Sequence, residues 1–448
     1  MSKRVSVVGL GRLGAPLAAC FAARGFDVVG VDLDKNKVEA INHGVAPVHE
    51  PGLPELLAKG KMRLKATQDL EAAVRETELT FIVVSTPSEP GGGFSLRYVL
   101  PVCESIGRAL RGETEFHVVV LTSTVMPGST GGAVRATLEQ ASGKRCGTDF
   151  GLCYSPEFIA LGSVIQNFLH PDFVLIGESD ARSGAILAET YQEVCENSPR
   201  AARMNFVNAE LTKLSVNTYV TTKISFANML ARFCEKIPEA NVEDVTRALG
   251  LDTRIGPKYL KGAISYGGPC FPRDNLALAA FARQIGARAD IAQATDQFNR
   301  WQIQWLADLV QRHSSPGSTV GILGLTYKPD TDVVEEAAGL LLARELTSRG
   351  VPVTAHDPSS NGNTAQAIGE KARIASSARD CIEQASVIVL TTPWPEFQQI
   401  PAEVWARPSS PRVVIDCWGL LEHLENETGV RYKRLGNSGG MEWTHAAS

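Results

Sequence analysis

The sequence lacks long runs of either charge, and it lacks an apolar segment long enough to cross a membrane. Its 448 residues carry a net charge of −5, with 21% charged and 44% apolar residues. A mixed and weakly acidic composition argues against nucleic acid as a partner, and a membrane span needs about 18 consecutive apolar residues. These absences favour a globular protein that binds a small molecule, with no nucleic-acid or membrane partner.

The nine cysteines also lack a pattern. They are odd in number and scattered, without the short paired spacings of a zinc site or a redox dithiol. Residues 5–10 form an apolar run after a charged start, but this run is too short for a signal peptide and is broken by glycines. We therefore expect a cytoplasmic protein that uses no metal.

A glycine-rich turn lies near the N-terminus. The apolar run Val5–Val8 predicts a strand, Gly9–Gly14 has the GxGxxG spacing, and helix-forming residues continue to Arg24. These glycines permit a tight turn, the approach of a pyrophosphate and close helix packing. Asp32 ends the next predicted strand, 18 residues after Gly14, where an acid binds a ribose 2′-hydroxyl. The pattern predicts a site for NAD in preference to NADP; the alternative is a glycine turn in an unrelated α/β unit.

Polar residues follow three further predicted strands. Thr86 and Thr124 are candidates for cofactor contacts, because ligands bind beyond the carboxyl ends of parallel strands. Each threonine fits an ordinary strand-ending turn equally well. Glu157 is either a base or a cap of the next helix. The three strands are Leu79–Val84, Val118–Leu121 and Phe150–Tyr154.

A long helix is predicted from Asn208 to about Pro238. Glu210, Lys213 and Asn217 are spaced three and four residues apart and would share one of its faces. A glutamate and a lysine at this spacing often form a solvated surface pair. The alternative is that Lys213 and Asn217 point into a cleft and stabilise an oxyanion. A helix of this length also favours dimer formation.

One cysteine stands in a loop of unusual composition. Residues 265–274 read SYGGPCFPRD, so glycines and prolines constrain the backbone around Cys270. Arg273 and Asp274 follow at once, and a neighbouring cation favours a reactive thiolate. The alternative is a structural cysteine buried in a tight turn, since free cysteines are usually buried.

The last third of the chain alternates strands and helices again after the polar linker Ser314–Ser318, which predicts a second doubly wound α/β unit. It lacks the full glycine fingerprint, so we expect it to bind a nucleotide other than NAD. The predicted strands are Thr319–Leu323, Val351–Ala355, Ser386–Leu390 and Arg412–Ile415.

The length of the chain favours two or three domains. We expect an NAD-binding Rossmann domain at 1–204 and a helical dimerisation domain with the cysteine loop at 205–313. A Rossmann-like nucleotide-sugar-binding domain is expected at 314–430, followed by a mobile tail at 431–448.

Together these motifs resemble the UDP-glucose/GDP-mannose dehydrogenase family from about Val5 to about Trp418. Their order along the chain makes the resemblance highly specific. They are Gly9–Gly14, Pro47–Leu53, Ser123–Gly128, Ser155–Phe158, Glu210–Lys213 with Asn217, Gly267–Asp274 and Gly324–Asp332.

The resemblance implies an α/β fold with two Rossmann-like doubly wound domains joined by a long central helix and a helical dimerisation region. It implies NAD-dependent oxidation of the C6 alcohol of a nucleotide sugar to a carboxylate, with UDP-glucose as the first choice. Cys270 would attack the aldehyde to form a thiohemiacetal, and a second oxidation would give a thioester that water hydrolyses.

The same resemblance implies roles for individual residues. Lys213 and Asn217 would stabilise the oxyanion, Asp274 and Thr124 would hold water and the reacting groups, and Glu157 would assist hydrolysis. Arg254 would reach the substrate of a partner subunit in a homodimer formed through the central helix. Implied substrate contacts are Glu157, Phe158, Lys213, Asn217, Arg254, Lys261, Tyr266, Gly267 and Lys328. Implied cofactor contacts are Gly9, Leu10, Gly11, Arg12, Leu13, Gly14, Asp32, Lys37, Thr86 and Thr124.

Three positions depart from the family pattern. Leu161 replaces a common glutamate, Glu335 stands where an arginine is expected, and Trp418 lies where many members have Asp-Gly-Arg. These departures leave other substrates open: a thymidine diphosphate sugar such as TDP-glucose, a UDP-N-acetylhexosamine or GDP-mannose.

Two other functions compete with this one. A two-electron hydroxyacid dehydrogenase of the 6-phosphogluconate type also combines an NAD domain with a long helix, but it needs neither Cys270 nor a second nucleotide domain. A non-catalytic sensor of NAD or nucleotide sugars is motivated by Leu161 and Glu335. The number of NADH molecules formed per sugar separates the three: two, one or none.

Overall fold

The structure is a computed structural model that describes residues 3–359, 362–369 and 372–438. The chain forms two compact units, and each is described by itself. The first contains residues 1–215 and 280–286, and the second contains residues 216–279 and 287–448. One boundary falls within the long helix that the sequence predicts.

The first unit is built on an eight-stranded sheet. Its strands are β1 (Arg4–Val8), β2 (Asp27–Val31), β3 (Leu64–Thr67), β4 (Leu79–Ile82), β5 (Val118–Leu121), β6 (Gly151–Tyr154), β7 (Phe173–Glu178) and β8 (Arg200–Met204). Their order in the sheet is β3-β2-β1-β4-β5-β6-β7-β8. Neighbours pair in parallel except β6 and β7, which are antiparallel.

Helices cover both faces of this sheet, so its central strands are apolar on both sides. Val118 and Val120 of β5 belong to one buried cluster, whereas Val119 and Leu121 belong to another. The helices are α1 (Gly14–Ala23), α2 (Lys35–Asn42), α3 (Leu53–Gly60), α4 (Leu70–Arg75), α5 (Val99–Leu110), α6 (Arg135–Ser142), α7 (Val164–Leu169) and α8 (Ala181–Val194). A π-helical turn, Thr130–Val134, precedes α6.

The middle of the chain is helical. The helix α9 (Phe206–Cys234) has 29 residues, and it begins two residues before the predicted start. It is followed by α10 (Val242–Leu251), α11 (Phe271–Gln284) and α12 (Asp290–His313). No helix within residues 3–359, 362–369 and 372–438 combines the length and apolar character that crossing a bilayer requires.

The second unit contains a six-stranded sheet in which every neighbouring pair is parallel. Its strands are β9 (Val320–Leu323), β10 (Val353–His356), β11 (Ala372–Ile374), β12 (Val387–Leu390), β13 (Arg412–Asp416) and β14 (Val430–Arg434), in the order β11-β10-β9-β12-β13-β14. Its helices are α13 (Ala338–Ser348), α14 (Gly362–Ile368), α15 (Ala378–Gln384), α16 (Pro395–Gln398) and α17 (Ala402–Trp405), with a 3-10 turn at Glu422–Leu424. The α/β class and the two Rossmann-like sheets are as predicted.

The expected mobile tail is wrong for its first residues. Residues 430–434 form β14, which pairs with β13 from Arg412↔Val430 to Asp416↔Arg434. Polar side chains suit this strand because it lies at the edge of the sheet. The rest of the predicted tail, residues 439–448, lies outside the described residues. The division into three domains stays a prediction.

Candidate active site

The turn after β1 has the geometry of a dinucleotide site. Gly9 has a φ of 98°, and the Leu10 amide donates to Asp32 Oδ2 over 2.7 Å. A Cβ on Gly14 would lie 1.7 Å from the carbonyl oxygen of Gly9, so α1 packs directly on the turn. A Cβ on Gly11 would meet no atom of the described residues within 4 Å. The open space beside Gly11 fits a pyrophosphate at a helix N-terminus.

Asp32 occupies the position of the ribose-binding acid at the end of β2. The Asp34 amide donates to its Oδ1 over 2.9 Å, and Lys37 Nζ lies 3.3 Å from its Oδ2. The residue remains partly exposed, so its carboxylate can accept from a ribose hydroxyl. Arg12 is exposed on the glycine turn and Leu13 is half-buried. This set of residues fits NAD.

Thr86 and Thr124 lie together beyond the ends of β4 and β5. The Thr86 hydroxyl donates to the carbonyl oxygen of Thr124 over 2.7 Å. A local hydrogen bond to the backbone is what an ordinary strand-ending turn predicts. A cofactor role for either threonine stays a prediction. Farther along this loop, the amides of Gly128 and Thr130 donate to the carboxylate of Glu210 over 2.6 and 2.7 Å.

Glu210 and Lys213 do not form the solvated pair that their spacing allows, because both are buried. Burial raises the pKa of Glu210, while the two backbone amides oppose that shift. Lys213 Nζ instead donates to the carbonyl oxygen of Glu157 over 2.6 Å and lies 4.5 Å from the ring centre of Phe158. The start of α9 therefore fixes the segment that follows β6.

Glu157 is not a helix cap. Another carboxylate, Glu50, accepts the amides of Gly162 and Val164 at the start of α7, over 2.9 and 2.6 Å. Glu157 accepts a hydrogen bond of 3.1 Å from the hydroxyl of Tyr191. The residue keeps part of its surface, but desolvation of its carboxyl group raises its pKa to about 7, against the lowering effects of Tyr191 and the Lys213 ammonium. Such a pKa suits a base that works near neutral pH.

Cys270 is exposed, whereas the other eight cysteines are buried. The interpretation as a buried structural cysteine is therefore wrong. The Asp274 amide donates to the Cys270 carbonyl oxygen over 2.9 Å, which makes Cys270 the residue that opens α11. The dipole at a helix N-terminus favours an anionic sulfur there.

Asp274 lies in the first turn of α11 and is only 1% exposed. Asn217 donates to its Oδ2 over 2.6 Å, and Arg273 Nε lies 3.7 Å from its Oδ1. Asn217 and Lys213 are one turn apart on α9, which places them on the same side of that helix. In the second unit, Cys270 and Asp274 therefore lie at the start of α11, and Asn217 lies on the face of α9 that contacts Asp274.

The residues with implied substrate contacts differ in their surroundings. Tyr266 is buried, Lys328 is half-buried, and Gly267 is packed so that a Cβ would lie 2.3 Å from the Glu336 carbonyl oxygen. Lys261 is 54% exposed, with Nζ 3.9 Å from a carboxylate oxygen of Glu243. Arg254 is 87% exposed and ion-paired to Asp252 over 2.6 Å.

The second sheet has a glycine turn like that of the first, but the acidic residue after its next strand is buried. A Cβ on Gly339 would lie 1.9 Å from the Gly324 carbonyl oxygen. In the first unit, a Cβ on Gly14 would lie similarly close to the Gly9 carbonyl oxygen. Asp357, which follows β10, is 1% exposed. It accepts from two amides, a hydroxyl and the Trp394 indole over 2.7 to 3.2 Å. The Ser359 amide donates to its other oxygen over 2.9 Å, and this burial and bonding fit a nucleotide other than NAD.

Comparison with known proteins decides the family. The NAD binding domain of the UDP-glucose/GDP-mannose dehydrogenase family matches residues 3–195, the central domain matches 207–301 and the UDP binding domain matches 321–423. The chain belongs to this dehydrogenase family. Its members are NAD-dependent nucleotide-sugar dehydrogenases, so the substrate is a nucleotide sugar and the cofactor is NAD.

The dehydrogenase is similar to relatives with different substrates in their names. A UDP-glucose 6-dehydrogenase of Haloferax volcanii is 35% identical over 435 residues, covering 96% of this chain and 99% of the relative. A GDP-mannose 6-dehydrogenase of Azotobacter vinelandii is 34% identical over 432 residues, covering 93% and 97%. The solved structure of a UDP-glucose dehydrogenase from Pyrobaculum islandicum has a TM-score of 0.88 and 32% identity, and each chain is covered to 97%.

The three departures of the dehydrogenase have distinct surroundings. Leu161 is half-buried and packs against the apolar core of the first unit. The side chain of Glu335 is exposed, but its carbonyl oxygen accepts the Gly268 amide over 2.9 Å. Trp418 donates from its indole to the Thr391 carbonyl oxygen over 2.8 Å at the carboxyl ends of β12 and β13.

The sequence did not predict the contacts of two residues of the dehydrogenase site. Tyr191 lies on α8 and reaches Glu157 across 34 residues of sequence, so only the tertiary structure reveals it. Glu50 belongs to the quoted motif Pro47–Leu53, but its capping of α7 joins residues more than 100 positions apart.

Proposed function

We propose that this dehydrogenase converts UDP-glucose to UDP-glucuronate by a four-electron oxidation at C6. NAD, when bound, supplies the hydride acceptor for both oxidations. The Haloferax volcanii relative and the Pyrobaculum islandicum structure support UDP-glucose, since both are named for it and both align over nearly the whole chain.

The exposed thiol at the start of α11 carries the proposal. A thiolate there adds to the C6 aldehyde and forms a carbon–sulfur bond, which gives a thiohemiacetal. Loss of a hydride from that carbon gives a thioester, and water then releases the carboxylate and restores the thiol. A two-electron dehydrogenase needs no nucleophile, so the exposure of Cys270 favours the longer reaction.

The remaining side chains fit supporting roles. Lys213 is a buried cation on α9, and Asn217 is an amide donor one turn later, so both suit stabilisation of negative charge on the C6 oxygen. Glu157 has a pKa near 7 and suits activation of the hydrolytic water. Asp274 accepts from Asn217 and holds that amide in place.

GDP-mannose is the second candidate, because the Azotobacter vinelandii relative is nearly as similar as the first. The deciding experiment supplies purified protein and NAD with UDP-glucose, GDP-mannose, TDP-glucose or a UDP-N-acetylhexosamine. Our proposal predicts two NADH per UDP-glucose and slower turnover of the others. Cys270→Ala should abolish the acid, whereas Cys146→Ala, a change at a buried cysteine, should not. One NADH per sugar, or faster use of GDP-mannose, would contradict it.

We further propose a homodimer formed through α9. Four large apolar side chains on and just after this helix are 42–64% exposed in the single chain: Tyr219, Phe226, Phe233 and Ile237. The first three recur every seven residues and so form one stripe, which is the pattern of a helix that packs against a partner. The cysteines are odd in number and scattered along the sequence, which supports a cytoplasmic location.

A further inference from the structure

The segment that leads to Cys270 is buried but has no regular secondary structure. Residues 262–266 are buried, and residues 261–270 form neither helix nor strand. Buried backbone amides and carbonyls need hydrogen-bond partners, and within the described part of the chain no strand pairs with residues 261–270. Side chains must therefore hold this backbone in place.

Two asparagines on different helices supply those partners. Asn228 of α9 accepts from the Ala263 amide and donates to the Ile264 carbonyl oxygen, both over 2.7 Å. Asn299 of α12 accepts from the Tyr266 amide and donates to the Tyr266 carbonyl oxygen, both over 2.9 Å. Both asparagines are buried, so water does not compete for these bonds. Each asparagine side chain therefore makes the two backbone hydrogen bonds that a neighbouring strand would make in a sheet.

The contacts continue from Tyr266 to the cysteine. The Tyr266 hydroxyl accepts from Asn275 over 2.9 Å, and its ring packs edge-on against Phe271, with ring centres 6.1 Å apart. Phe271 is bonded directly to Cys270. Between Tyr266 and Cys270, the Gly268 amide donates to the Glu335 carbonyl oxygen over 2.9 Å. A shift of the Tyr266 backbone is therefore passed to the residue beside the thiol.

We infer that Asn228 and Asn299 are positioning residues that set the placement of Cys270 for its attack on the substrate. The inference rests on the proposed function, because it assigns Cys270 as the nucleophile. Small displacements of a reacting group lower a rate strongly, by about a hundredfold for roughly 1 Å. Asn299 should matter more than Asn228, because it holds the residue closer to Cys270.

The test compares Asn299→Ala and Asn299→Asp with Asn42→Ala. Asn42 is the control for the loss of this type of contact: it is exposed, and it makes the same double hydrogen bond to the backbone of Ala66 in β3, over 2.8 and 3.0 Å. The full-length protein without substrate is treated with iodoacetamide, and alkylation of Cys270 is followed by peptide mass spectrometry. This readout does not require catalysis, so it separates failure of the inference from failure of the proposed function.

We expect both Asn299 variants to unfold cooperatively, to alkylate Cys270 about tenfold more slowly and to lose about a hundredfold in kcat with little change in KM. Asn42→Ala should change neither rate. Unchanged alkylation and kcat in the Asn299 variants would overturn the inference. Failure of both variants to fold would assign Asn299 to the fold as a whole and would also overturn it.

Discussion

Asn217 donates a hydrogen bond of 2.6 Å to a carboxylate oxygen of Asp274, and Asp274 is almost completely buried. Asn217→Ala removes a donor from a buried charge, which should lower the free energy of unfolding by about 1–3 kcal/mol. If the amide also stabilises the oxyanion, kcat should fall about 100- to 1,000-fold. Urea unfolding and steady-state kinetics measure the two effects.

The control for this change is Asn197→Ala, which removes an exposed side-chain bond to the Pro171 carbonyl oxygen. It should leave kcat unchanged and the stability within about 0.5 kcal/mol of the original. If Asn217→Ala has the same kcat as the control, Asn217 takes no part in the reaction.

The pKa of Glu157 predicts a pH dependence of the rate. Desolvation raises this pKa to about 7, so the carboxylate form that can act as a base accumulates as pH rises through 7. The rate of acid formation should rise with pH around this midpoint, and Glu157→Gln should lose both the rise and most of the activity. A Gln variant with the original pH profile would assign the rise to another group.

The same group affects stability. A carboxyl whose pKa is higher in the folded chain than in the unfolded chain binds its proton more tightly when folded. Its stabilising contribution is full below the ordinary value of 4.5 and is lost as pH rises to about 7. Glu157→Gln should therefore gain stability relative to the unchanged protein between pH 5 and 8, as measured by denaturant unfolding. A constant difference across this range would contradict the raised pKa.

Replacement by alanine should affect different properties at two glycines of the first turn. At Gly11 a Cβ meets no described atom within 4 Å, so Gly11→Ala should fold normally but bind NAD about tenfold more weakly or worse. At Gly14 a Cβ would lie 1.7 Å from the Gly9 carbonyl oxygen, so Gly14→Ala should destabilise the fold by several kcal/mol. Calorimetry of NAD binding and thermal unfolding would separate the two effects. Equal loss of stability in both variants would argue against this geometry.

Asp32 should determine the choice between NAD and NADP. Asp32→Asn keeps an acceptor for the Leu10 amide but removes the charge that repels a 2′-phosphate. We expect kcat/KM for NADP relative to NAD to rise about tenfold, which corresponds to roughly 1.4 kcal/mol. An unchanged ratio would mean that another residue rejects the phosphate.

The apolar stripe on α9 predicts the state of assembly. Phe226 is 46% exposed in the single chain, so Phe226→Glu places a charge in the proposed interface. Sedimentation should show a dimer for the unchanged protein and a monomer for this variant. Met62→Glu is the control, since Met62 is 94% exposed in the other unit. A monomeric unchanged protein, or a dimer that survives Phe226→Glu, would contradict the interface.

The central strands could be predicted because burial on both faces makes them mostly apolar. β5 has the predicted bounds, Val118–Leu121. The edge strands β8 and β14 were missed because their sequences, RAARM and VRYKR, are polar. Their identity as strands depends on backbone pairing with a neighbour, which local sequence does not encode.

The candidate site was predictable only in part for a similar reason. The loop around Cys270 and the turn from Gly9 are local motifs, and their chemistry can be read from adjacent residues. By contrast, the bond from Asn217 to Asp274 spans 57 residues of sequence. Asn299 looks like any polar residue of a helix until the backbone of Tyr266 lies against it.

Rapid acid quenching during turnover with UDP-glucose and NAD, followed by peptide mass spectrometry, tests the central claim most directly. We predict that the peptide containing Cys270 carries the mass of a UDP-glucuronyl group in thioester linkage, and that hydroxylamine removes it. Formation of two NADH per sugar with this peptide unmodified at every time point would contradict covalent catalysis by Cys270.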